Sequence, residues 1–151
     1  MLNDIYTRQI LSLAANIPHL GRLPRADATA MTHSKLCGSV ITVDLVIEDG
    51  KVREFAHEVQ ACALGQASAA VMGRLVLGAT VEELFAVRKA MRCMLKEGSV
   101  PPVGRWEALA VFEPIRDYPA RHGSVLLTFD AVIAAFASIG VFPMDANAVV
   151  D

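Results

Sequence analysis

Residues 40–60 read VITVDLVIEDGKVREFAHEVQ, two alternating runs hinged on Asp49-Gly50. In the first run Ile41, Val43, Leu45 and Ile47 fall on one side, with Thr42, Asp44 and Glu48 on the other. Successive side chains of a strand point to opposite faces, so the alternation predicts a half-buried strand over Val40–Glu48 and a partner over Val52–Gln60. Asp-Gly between two such runs signals a hairpin, because a type I′ turn needs positive φ at both central residues. A tight turn there sets positions whose numbers sum to 99 opposite each other. Continued outward, that register places Cys62 opposite Cys37 at the open end of the hairpin, on one face of the sheet.

Beyond the hairpin the period changes. Leu64, Ser68, Val71, Met72 and Leu75 form the stripe of a helix that begins at Ala63 and is stopped by Gly78. Thr80-x-x-Glu83 matches a capping box and opens a helix to about Lys96, carried by Leu84, Val87, Met91, Met94 and Leu95. Gly98–Pro119 holds four prolines and two glycines, which predicts a long irregular connection. A last helix is expected from about Ser124. Upstream, Leu2, Ile5, Tyr6, Ile10 and Leu13 predict a helix over Leu2–Asn16. Pro18, Gly21 and Pro24 end it, and a short strand follows around Ala28–Thr32. The order describes an α+β domain, a small antiparallel sheet (the hairpin plus a short extra strand) with helices packed on one side. Residues 1–140 form the expected domain and 141–151 a tail.

The chain has 151 residues, 54% of them hydrophobic and 20% charged, with a net charge of −2. That composition excludes intrinsic disorder, and the balanced charge argues against nucleic acid as a partner. The three cysteines, at 37, 62 and 93, are too few for a secreted disulfide framework and fit a reducing, cytoplasmic setting. Asp4 and Arg8 interrupt any export signal at the start. Val125–Phe142 approaches the length of a membrane span, but its single charge, Asp130, and its one-sided face of Leu126, Phe129, Val132, Ile133, Phe136 and Ile139 predict a core helix rather than a span. Ala131, Ala134, Ala135 and Ser138 form a strip of small residues on its back. Either a partner in a larger complex or the tail itself is expected to cover that strip.

Two thiols stand at pointed places, Cys37 before the first hairpin strand and Cys62 where the second hands over to a helix. Unsatisfied N–H groups at a helix start favour a thiolate, and two neighbouring thiols suit a soft metal. The plainer alternative is a pair of small buried hydrophobic residues. The chain has no Gly-rich phosphate loop, Gly-x-Ser-x-Gly, His-Glu-x-x-His or Cys-x-x-Cys, so the chemistries those motifs carry are not indicated. His57, between Phe55 and Val59, reads as a satisfied structural histidine. Cys93 falls off the apolar stripe of its helix, toward solvent.

Leu36-Cys37-Gly38-Ser39, the Asp49-Gly50-Lys51 hairpin, Cys62 leading Ala63-Leu64-Gly65-Gln66-Ala67-Ser68-Ala69-Ala70, and Gly78-x-Thr80-x-Glu82-Glu83 together resemble the NifU/IscU/SufU family of iron–sulfur cluster assembly scaffolds. Asn16-x-Pro18-x-x-Gly21 fits as well, and the likeness runs from about residue 3 to 137. Gly98–Pro119 resembles the insertion of the SufU branch. The resemblance implies a SufE/NifU-like fold and a scaffold or carrier, not an enzyme. Such a protein would hold iron, a [2Fe–2S] cluster or zinc transiently through Cys37 and Cys62. It would work with a cysteine desulfurase or other iron–sulfur assembly proteins.

The family builds its site from three cysteines and an aspartate. Here Ser39 stands at the aspartate position and Ser124 at the third cysteine. Ser124 has an alternative reading as the N-cap of the last helix. His122 is either a surface residue or an imidazole donor that would complete a Cys–Cys–His zinc site. Two copies could instead pool their thiolates on one cluster. The broken ligand set also admits a member that binds no group and serves as an interaction module or accessory subunit. The SufU-like insertion points to a third alternative, a zinc-dependent sulfur-transfer partner. Val100-Pro101-Pro102-Val103 resembles the chaperone-recognition motif of the IscU branch, but Gly104 replaces the following lysine and about twenty residues separate it from Ser124, so it reads as coincidence.

Overall fold

A computed structural model describes residues 7–36 and 38–143. Thr7 caps the first helix, its hydroxyl accepting the Ile10 N–H at 3.2 Å, and α1 runs over Arg8–Ala15. The first five residues of the expected helix, 2–6, lie outside the described residues. The sheet follows as β1 (Ala28–His33), β2 (Val40–Glu48) and β3 (Lys51–Gln60), antiparallel in the order β1-β2-β3. Then come α2 (Ala63–Leu75), α3 (Val81–Glu97), two 3₁₀ segments (Gly104–Asp117 and Pro119–Arg121) and α4 (His122–Ser138).

Asp49 and Gly50 take φ of 55° and 76°, the pair of positive values that a type I′ turn requires. Glu48↔Lys51 and Ile47↔Val52 keep the register expected from that turn. A β-bulge at Arg53 then shifts it: Val46 faces Glu54, and the offset persists to Val40↔Gln60. Arg53 and Glu54 are both exposed, and the extra residue lets Phe55 and His57 turn inward against Leu45 and Val43. The expected pairing of Cys62 with Cys37 is thereby corrected. The ladder ends at Gln60, and its continuation would set position 62 against 38. Cys37 itself lies outside the described residues.

On the outer face Asp44 is 1% exposed and accepts four hydrogen bonds. They come from Arg22 Nε (2.7 Å) and Nη2 (3.1 Å), Leu23 N–H (3.1 Å) and Thr29 Oγ1 (2.7 Å). The Arg22 guanidinium holds the Asp44 carboxyl below the usual carboxylate range, with Thr29 and the Leu23 N–H adding to it and burial opposing. The same N-terminal segment also lies along β3. His57 N–H donates to His19 O (3.1 Å), Gly21 N–H donates to His57 O (2.8 Å), and the His57 Nε2 stands 2.8 Å from Pro18 O. His57 is wholly buried, with its pKa lowered by burial, and among the described residues only one of its ring nitrogens is satisfied as expected. Its Nδ1 has no hydrogen-bond partner among the described residues. Gly73 permits the close approach of this segment to α2: a Cβ there would lie 2.9 Å from Pro18 Cγ.

Two expectations are corrected in the C-terminal half. The expected irregular connection, Gly98–Pro119, is irregular chiefly at its start, over residues 98–103. Gly104–Asp117 winds as two 3₁₀ stretches joined by a kink at Trp106 (φ −101°, ψ 16°), and it buries Trp106, Leu109, Phe112 and Ile115 in the core. The small-residue strip on α4 is not a free surface either. α4 packs against β1 and β2 on the sheet and against α2 and α3, which leaves Ala131 and Ala135 0% exposed and Ala134 half-buried, with Ser138 exposed at the end of the strip. The fold's own elements thus cover most of the strip that was expected to meet a partner or the tail. Residues 144–151 of that tail lie outside the described residues. The helical stretch Pro119–Ser138 is long and apolar enough to cross a membrane by composition, but 61% of its apolar window is buried inside the fold, as a core helix requires.

Candidate functional site

Cys62 occupies the N-cap position of α2, with φ −67° and ψ 170°, between the end of β3 and the first helical turn. It is half-buried. Its carbonyl accepts the Gln66 N–H at 2.9 Å, and its own N–H donates to Ser39 Oγ at 3.4 Å. Ser39 is 2% exposed. It ends a loop closed by Ser34 N–H to Ser39 O (2.8 Å) and Gly38 N–H to Ser34 O (2.9 Å). Gly38 sits at φ 71°, a backbone that favours glycine.

The start of α4 completes the neighbourhood. A Cβ on Gly65 would stand 3.4 Å from Ser124 O, and Ser68 Oγ donates to Val125 O at 2.6 Å. The first turns of α2 and α4 therefore touch, and one on Gly123 would meet Ser34 Oγ at 3.8 Å. The structure brings Ser39, Cys62 and Ser124 to one end of the sheet, where three separate parts of the chain converge. Of the five sequence-predicted site residues, Cys37 is the one outside the described residues.

Two placements differ from expectation. Ser124 is not an N-cap: Pro119–Arg121 runs directly into α4, which starts at His122 with Arg121 as cap, so Ser124 falls inside the first turn, 1% exposed. His122 is not a surface residue but 3% exposed. Its Nε2 lies 3.0 Å from Ile115 O and 3.1 Å from Arg116 O, and its Nδ1 3.4 Å from Lys96 Nζ. Carbonyls only accept and an ammonium only donates, so Nε2 carries the hydrogen and Nδ1 accepts. Both ring nitrogens are engaged within the protein in this arrangement. Lys96 went unrecognised in the sequence because it meets His122 from another helix, 26 residues away.

Cys93, half-buried on α3, lies off the buried stripe, and its carbonyl accepts the Ser99 N–H at 3.2 Å. Among the described residues no three His, Cys, Asp or Glu side chains gather in a way that could hold a metal. At the site the described donors are one thiol and two buried hydroxyls, and hydroxyl oxygen is a poor ligand for a soft metal. The described donors alone do not make a four-ligand set.

The family profile described as NifU-like N terminal domain matches residues 5–124. This chain belongs to that family. A relative is the iron-sulfur cluster assembly scaffold protein IscU of Thermotoga maritima, 31% identical over 137 residues, 89% of this chain and 94% of that protein. The crystal structure of a nitrogen-fixing NifU-like protein (N-terminal) from Brucella abortus superposes with a TM-score of 0.88 at 55% identity, covering 91% of this chain and 96% of the other. The fold is shared more widely. A putative iron-sulfur cluster assembly scaffold protein for the SUF system from Fervidobacterium islandicum matches with a TM-score of 0.78 at 23% identity, over 87% and 96% of the two chains.

Proposed function

We propose that this chain is an iron–sulfur cluster assembly scaffold or carrier, with iron and sulfide as its cargo and Cys62 and Cys37 as its cysteine ligands. The observation that carries the reading is the convergence of Ser39, Cys62 and Ser124 at one end of the sheet, in a member of the NifU-like family. A scaffold receives sulfur, typically from a cysteine desulfurase, and hands the product on; it needs no catalytic residue of its own. The cargo is a [2Fe–2S] cluster or a single soft ion such as zinc. Because the described ligands fall short of four, the cargo is held weakly and is completed by an outside ligand or by a second copy. A reducing cytoplasm would keep these thiols available.

A second reading is favoured by one observation: the Ser39 hydroxyl is engaged with the Cys62 N–H, and His122 with Lys96 and two carbonyls. Under it the site has lost its cargo, and the chain is an interaction module or accessory subunit.

Anaerobic reconstitution with iron and sulfide, followed by absorption spectra and metal counting, separates the two. On the scaffold reading the parent takes up a measurable cluster, Cys62→Ser loses it, and Ser39→Asp with Ser124→Cys raises occupancy. Equal, background-level iron in all three proteins would leave the interaction module standing.

A further inference from the structure

A sheet has two edges, and this one treats them differently. The outer edge of β3 is covered at both ends. His57 pairs with the segment at Leu20, and near the turn Val52 N–H donates to Ala79 O (2.9 Å) while Gly78 N–H donates to Val52 O (2.8 Å). Among the described residues β1 pairs with β2 alone. Among the described residues its outer edge meets no other strand or bridge.

Open edges are usually guarded by charge, proline, a bulge or a covering element. β1 reads Ala28-Thr29-Ala30-Met31-Thr32-His33, without Lys, Arg, Asp, Glu or Pro, and its register with β2 runs unbroken over six pairs. Its margin is also accessible. The inward residues of β2, Ile41, Val43 and Leu45, are 0% exposed, whereas Ala30 and Thr32 on the same face of β1 are only half-buried. At the middle of the strand Met31 is 67% exposed. The edge is neutral, unbroken in register and flanked by an exposed methionine, so none of these guards keeps a further strand away.

We propose that the outer edge of β1 pairs with β1 of a second copy of this chain, antiparallel, about a two-fold axis at Met31. Antiparallel partners must lie on the same face, and this register satisfies the condition throughout. Met31 meets the partner's Met31 and each covers the other's apolar surface. Thr29 faces the partner's His33 on the outer side, and Ala30 faces the partner's Thr32 on the inner side. No like charges meet, and the contact is self-complementary, as an isologous interface must be. The product is one continuous six-stranded sheet. A six-residue seam falls below the roughly 1,000 Å² of a stable dimer, so the pairing is concentration-dependent. It does not rest on the scaffold reading, because no metal or thiol takes part.

The test is sedimentation velocity on the full chain from about 1 µM to about 1 mM, with and without a chelator. Reversible dimerisation that the chelator leaves unchanged is expected, whereas dimers that the chelator abolishes would place the contact at a metal and overturn the proposal. Met31→Lys sets two ammonium groups opposite each other and should weaken the dimer at least about tenfold. Register is read by mild oxidation of Met31→Cys and Thr29→Cys, with the bridged peptides mapped. Position 31 should bridge to its own copy in the partner, and position 29, staggered from its copy, should not. A monomer at every concentration, or equal bridging at 29 and 31, overturns the proposal; the first of these outcomes would leave the edge to a strand of another protein.

Discussion

The β2–β3 hairpin and residues 98–121 both deliver large side chains to the core, by different means. The hairpin does so with period-two alternation on a hydrogen-bonded ladder, and it buries ionisable groups as well, Asp44 and His57. The stretch after α3 has a period of three: Trp106, Leu109, Phe112 and Ile115 are 0–4% exposed, and none of the buried polar residues belongs to it. A 3₁₀ helix has three residues per turn, so Leu109, Phe112 and Ile115 stack along one face beyond the kink at Trp106. Trp106 anchors the start, its Nε1 donating to Glu83 Oε2 at 2.7 Å and its ring lying 5.9 Å from that of Phe129. Burial follows the period of the apolar residues and not the scarcity of prolines. The stability contributed by the stretch should therefore depend on volume, and that contributed by the hairpin partly on charge.

The largest effect tests the first half of that contrast. Phe112 is 0% exposed. Truncating a buried phenylalanine to alanine costs about 3–5 kcal/mol, whereas a change in a solvent-facing loop stays within about 0.5 kcal/mol. Denaturant unfolding of Phe112→Ala should show a loss in the upper range, with the dependence on denaturant unchanged. A loss under about 1 kcal/mol would restore the irregular loop that the prolines suggested.

The contrast also explains what was legible in the sequence. Alternation and the Asp49-Gly50 turn agreed with each other, so strand limits and turn type were readable to within a residue. The bulge was readable too, in Val52-Arg53-Glu54-Phe55, where two polar residues stand between inward-facing ones. Counting outward from the turn passed over it and misplaced the register by one. The third-residue spacing from Trp106 to Ile115 was equally visible, but Pro114 was weighed as a breaker. Its fixed φ near −65° lies within the 3₁₀ range. The candidate site was readable as far as the hairpin carries it, which brings Ser39 and Cys62 together. The contacts of His122 with Lys96 and with the carbonyls of Ile115 and Arg116 depend on how separate elements pack, and no local pattern announces them.

Charge on the hairpin gives the next effect. Asp44→Ala leaves Arg22, the Leu23 N–H and the Thr29 hydroxyl without their shared acceptor, which should cost about 1–3 kcal/mol at neutral pH. The folded carboxyl titrates below its unfolded range near 3.9, so its stabilisation is complete above that value and fades as pH falls through the lower folded value. The gap between wild type and Asp44→Asn should narrow between about pH 4 and pH 2. A gap that stays constant over that window would assign the effect to packing and remove the charge from the comparison.

His57 acts at milder pH. Burial lowers its folded pKa, with His19 adding and the Pro18 carbonyl opposing. Below about 6.5 the unfolded chain takes a proton that the folded chain refuses, so stability falls as pH drops, by up to about 1.4 kcal/mol per unit. His57→Gln should flatten that slope between about pH 7 and pH 5.5, whatever its effect on absolute stability. An unchanged slope would move the titration to another group. Phe112→Ala, in contrast, should lose the same amount at each pH.

The smallest effect bears on why the prolines are compatible with the 3₁₀ segment at all. Pro114 is exposed and packs no core, so Pro114→Ala should act mainly through the unfolded chain, which gains freedom when the ring is removed. That favours unfolding by about 0.4–1 kcal/mol. Alanine also restores an N–H able to bond three residues back, worth about 0.5–1.5 kcal/mol when formed, but an exposed N–H already bonds to water, so most of that gain is cancelled. The expected result is a net loss below about 1 kcal/mol, read as a small fall in the thermal midpoint with an unchanged far-ultraviolet spectrum. A variant more stable than wild type would mean that the added hydrogen bond outweighs the lost stiffness. The proline would then be tolerated by the period-three core rather than supporting it.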